Sequence, residues 1–85
     1  MSAPAPSGKN RDTDSMIYAS VRQVASTWYY IALTQGRAHE DARDVGLMQA
    51  EIYLSDLGIV EAAAAPYLEG ARKAIAGVMQ GRVQN

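Results

Sequence analysis

His39 is the chain's one imidazole and there is no cysteine among its 85 residues, so few side chains are available for chemistry. No Ser or Asp lies in a nucleophile motif, and no glycine-rich loop has the pattern that cradles phosphate. His39 falls at an expected helix start among Arg37, Glu40 and Asp41, where an imidazole is solvated or caps the helix. A metal would need more ligands, and Glu40, Asp41 and Asp44 lack the ordered spacing of a calcium or zinc site. No catalytic residue, metal or cofactor is expected, and the chain is not read as an enzyme. One binding alternative stands beside this. Arg22, Arg37, His39 and Arg43, with Tyr29, would line a pocket for an anionic, nucleotide-like ligand at a hairpin between the first two helices, since the donor fork of arginine suits phosphate.

Charge narrows the partners. The formal net charge is -1, but residues 44–71 carry five acids (Asp44, Glu51, Asp56, Glu61, Glu69) and no Lys or Arg. Phosphate contacts dominate duplex affinity, so a second helix with Arg43 alone at its start is a poor reader of DNA or RNA, and no nucleic acid is expected. Asp44 and Glu51 lie roughly 20° apart on a helical wheel and would instead face a basic groove on a protein partner, where charge speeds and orients encounter.

The aromatic run Trp28, Tyr29, Tyr30 spans too much of a helix circumference to enter one core. Trp28 is expected inside, with truncation to Ala costing roughly 3–5 kcal/mol. Tyr29 is expected at the edge of the packed seam and Tyr30 on the far side, near Leu33. Tyr joins a large apolar body to a polar tip, which suits an interface. Tyr29, Tyr30 and Leu33, with Asp44 and Glu51, are therefore the expected partner-binding residues.

Three helices must position these residues. Ile17, Val21, Val24, Trp28 and Ile31 recur at spacings of four and three, predicting a helix from about 14 to about 35 that stops at Gly36. Glu40, Asp41 and Asp44 open a second helix, about 39–57, and suit the positive end of its dipole. The short link makes the pair an antiparallel hairpin. Helix 2 carries two nearly opposite apolar stripes: Val45, Met48 and Ile52 on one side; Leu47, Ala50, Leu54 and Leu57 on the other. Such a helix must be covered twice. Gly58 is expected to end helix 2 as a C-terminal cap, and beyond it a stripe through Val60, Ala64, Tyr67, Leu68, Ala71, Ile75 and Val78 keeps its phase across Pro66, predicting one helix bent there, with a fresh start at Pro66 as the alternative.

The composition fits this reading. Apolar residues make up 48% of the chain but none is Phe, so the core of so small a domain is thin. The expected fold is all-α: a helical hairpin plus a Pro66-bent third helix, a three-helix bundle completed by oligomerisation. Residues 1–12, with Pro4, Pro6 and Gly8, read as a flexible tail, 13–82 as one helical domain and 83–85 as a C-terminal tail. No run approaches a membrane span and the N-terminus has no apolar signal core, so no membrane partner and a cytoplasmic location are expected. The function expected is non-catalytic: a self-associating regulator, inhibitor, adaptor or chaperone that covers the surface of another protein.

Overall fold

A computed structural model describes the backbone of residues 6–84 and the side chains of residues 13–80. Among the described residues the chain forms three α-helices and no strand: α1 (Pro6–Thr34), α2 (His39–Asp56) and α3 (Ala65–Gln84), with a single 3-10 turn (Glu61–Ala63) before α3. Helix α1 is described from Pro6 onward, within the segment expected as a tail. Residues 1–5 and Asn85 lie outside the described residues.

Two glycines fix the hairpins. Gly36 and Gly58 have φ of 86° and 81°, the left-handed region where a side chain would clash. Gly36 N–H donates to the Leu33 carbonyl at 3.0 Å and Arg37 N–H to that of Ala32 at 3.1 Å, closing α1 in a Schellman motif. Gly58 to Ser55 and Ile59 to Leu54, both at 2.9 Å, close α2 in the same way. The chain then departs from the single bent helix expected across Pro66. Val60 is extended, Glu61 takes a positive φ of 56°, and α3 starts afresh at Ala65 with Pro66 in its first turn. Ala64, Ala71 and Ile75 of the expected stripe are buried, but Val60 is half exposed and the backbone of residues 59–64 leaves the helical ladder.

Helix α1 lies against both others. It runs antiparallel to α2 and parallel to α3: Tyr67 reaches Asp14 at 3.1 Å and its ring lies tilted against Tyr18, while Ile75 lies beside Gly46, which faces Ala25 further along. The buried stripe of α1 is Val21, Ala25, Tyr29 and Ala32; that of α2 is Ala42, Gly46, Ala50 and Leu54; α3 adds Ala71 and Ile75. The α1 stripe is rotated by roughly 75° from the seam predicted through Ile17, Val24 and Trp28. Small residues decide this. A Cβ on Gly46 would overlap the Ala25 carbonyl oxygen and lie 3.3 Å from Ile75 Cδ1, so the α1 and α2 backbones close in on the alanine flank of α1 and the Ile75 side chain of α3 packs over them. Tyr29 therefore enters the core with no exposed surface, whereas Trp28, expected inside, is 38% exposed.

Candidate functional site

Of the two apolar stripes on α2, the bundle covers most of one, leaving its last member Leu57 half exposed, and of the other only Val45 packs against the core. Ala50 and Leu54 are buried, while Met48 and Ile52, on the opposite side, are about half exposed at 51% and 49%. The uncovered stripe is one wall of a groove of about 400 Å³ between α2 and the segment leading to α3, where Ile59, Val60 and Ala64 form the other wall. Val60 is 48% exposed. The groove continues along α2 into a second hollow of about 260 Å³ that shares Met48 and Glu51 and is bounded across from them by Leu68 and Arg72 of α3. Its polar rim is mostly acidic: Asp44, Glu51 and Glu61, with Arg72 the one cation lining it among the described residues. Arg72 Nε lies 3.9 Å from Glu69, which offsets its charge, and Arg43 pairs with Asp44 at 3.4 Å. A third hollow, about 440 Å³, lies where Met16 and Ile17 of α1 meet Tyr53 and Leu57.

Asp44 and Glu51, predicted as partner-facing, both sit on the groove rim and are exposed. Tyr30 is exposed on α1, and Leu33 is partly buried against the core. Tyr29 must be removed from the surface set, because close packing of the alanine flank turns it inward. Met48 and Ile52 were legible, with Val45, as one of two α2 stripes needing a cover, whereas Val60 was read as part of the buried stripe of the third helix. Nothing in their spacing indicated which of the two α2 stripes would stay open.

Of the residues proposed to bind an anion, Arg22 stands apart from the hairpin turn. Arg22 lies twelve residues before the end of α1, roughly 18 Å along the axis from the turn that carries Arg37. His39 is engaged: its Nδ1 shares a 2.8 Å hydrogen bond with the Tyr29 hydroxyl. The phenol donates when the imidazole is neutral with its proton on Nε2, and accepts when the ring is protonated. The hydroxyl inside the core is thus satisfied by the first residue of α2, a structural use of the lone histidine. Its first-turn neighbours Glu40 and Asp41 lie where the dipole of α2 favours negative charge. Among the described residues no three His, Asp or Glu side chains converge as a metal site would require, and no helix is long and apolar enough to cross a membrane.

Compared with protein-family models, curated proteins and solved structures, the chain matches none.

Proposed function

We propose that this chain is a non-catalytic helical interaction protein, a regulator, inhibitor, adaptor or chaperone that acts by covering the surface of another protein. The observation that carries the reading is the open stripe Met48–Ile52 on α2, continued by Val60 across the groove. Three half-exposed aliphatic side chains lining one concave surface with a polar rim are the arrangement expected of a docking site rather than of scattered surface residues. The engagement of His39 by Tyr29 supports a structural rather than catalytic imidazole. Self-association belongs to the same reading, through the exposed aromatic edge of α1 at Trp28 and Tyr30, and would complete the bundle as an oligomer.

Site-specific photocrosslinking tests both parts. A photoreactive residue at position 52, at position 30 or at the exposed control Gln23 is irradiated in native lysate, with an excess of unlabelled chain as competitor. Position 52 is expected to give an adduct that wild-type chain competes away and a Met48→Glu/Ile52→Glu chain does not. Position 30 is expected to give an adduct of twice the chain mass that Tyr30→Ala abolishes without unfolding the protein. Adducts no stronger at 52 and 30 than at 23 would sink the proposal.

A further inference from the structure

Resting on the reading of the α2–α3 groove as a docking surface, we propose that its occupant is a basic amphipathic α-helix of another protein, about three turns long, with one apolar face and Lys or Arg along its flanks. Length comes from the groove itself. From Asp44 to Ser55 its lining residues extend along α2 for roughly 16 Å, three turns of a helix. The α2 wall favours a helix over a strand as ligand, since its N–H and C=O groups are bonded within the helix and the described residues hold no sheet edge to extend. An apolar ridge with residues three and four apart fits between Met48 and Ile52 on one wall and Val60 on the other.

Charge selects the flanks. Asp44, Glu51 and Glu61 stand on the rim, and among the described residues neither Glu51 nor Glu61 is in an ion pair. The stretch from 44 to 71 holds five acids and no Lys or Arg; Arg43 and Arg72 at its ends pair with Asp44 and Glu69, which leaves Glu51 and Glu61 as the rim charges for a partner to meet. A second copy is disfavoured for the same reason, because a two-fold contact of groove on groove would set these carboxylates against themselves.

The test uses the whole chain and a fluorescein-labelled three-turn helical peptide, with Leu at alternating three- and four-residue spacing and Lys on both flanks, compared with the same peptide carrying Glu in place of Lys. Anisotropy titration is expected to show the Lys peptide binding at least about tenfold more tightly. Ile52→Glu, with Met48→Glu as a second variant and helicity checked by circular dichroism, is expected to weaken it by about tenfold or more. Glu51→Gln/Glu61→Gln is expected to erase most of the preference for Lys over Glu and to flatten the salt dependence. Equal binding of the two peptides that is lost on Ile52→Glu would overturn the basic partner while leaving the docking groove in place. Binding of the Lys peptide that survives both groove variants would overturn the site. Wild-type chain that self-associates and is made monomeric by Ile52→Glu would replace the foreign helix with a second copy. No binding of either peptide overturns the proposal, and combined with no competed adduct at position 52 it removes the docking reading as well.

Discussion

A methyl group at position 46 has nowhere to go. It would overlap the Ala25 carbonyl oxygen, an atom of the α1 backbone that cannot swing aside as a side-chain tip would. Gly46→Ala is therefore expected to destabilise the protein by roughly 1–3 kcal/mol, although Ala is the better helix former, because relief requires the two helices to part. Gly77 is the contrast: also helical, it has open space around its would-be Cβ, and Gly77→Ala is expected to stabilise by roughly 0.5–1 kcal/mol. Urea denaturation of the two variants reads the opposite signs. Tyr29 and Trp28 form a second pair. Tyr29→Ala, which empties the largest fully buried side chain and orphans His39, is expected to cost roughly 3–5 kcal/mol. Trp28→Ala, at an exposed site, is expected to cost about 1–2 kcal/mol. The same titrations rank them, and the reverse order would show that the α1 face is assigned incorrectly. Sequence made these neighbours look the other way round, because hydrophobicity places the larger apolar ring inside and does not register how closely two backbones approach.

At the scale of elements, the legible features were those set by local backbone chemistry. Gly36 and Gly58 stop their helices as predicted, and the acids opening α2 lie at its positive end. The join before α3 was less legible, since a stripe in phase across Pro66 reports which side is buried and says nothing of whether the ladder is continuous. Once α3 starts, a side-chain clip ties it to α1. The Tyr67 hydroxyl donates to Asp14 Oδ1 at 3.1 Å, and the ring lies against Tyr18 with centroids 4.4 Å apart. Lost hydration, then the bond to Asp14 and its negative charge, raise the Tyr67 phenol above its ordinary value of 10.0. The folded state thus holds this proton more tightly than the unfolded chain, so the clip's contribution is fully present below about pH 10 and is lost as pH rises through the folded value. Thermal unfolding of wild type and Tyr67→Phe between neutral and strongly alkaline pH is expected to show a constant gap up to about pH 10 that narrows above it. A gap that widens there would show that the phenol is favoured as the phenolate.

For the molecule as a whole, the bundle is elongated, with extents of 54 × 27 × 18 Å, and α1 is its spine. Helix α2 packs along α1 more extensively than α3 packs on either neighbour. Native-state hydrogen exchange is therefore expected to find the slowest amides in the buried stretches of α1 and α2 (residues 21–32 and 42–54) and to find residues 59–64 exchanging first, with α3 between. Slower exchange in α3 than in the hairpin would contradict this ordering. The sequence alone determined the all-helical class, the two glycine stops, the buried face of α3 and the acidic stretch with its surplus apolar stripe, because each depends on residue type at short spacing. Only the tertiary structure decided which flank of α1 is innermost, that Tyr29 and His39 meet, and that the Met48–Ile52 side of α2 stays open. These depend on how near two helix axes come, and here that distance is governed by a missing methyl group on one helix facing a carbonyl on another.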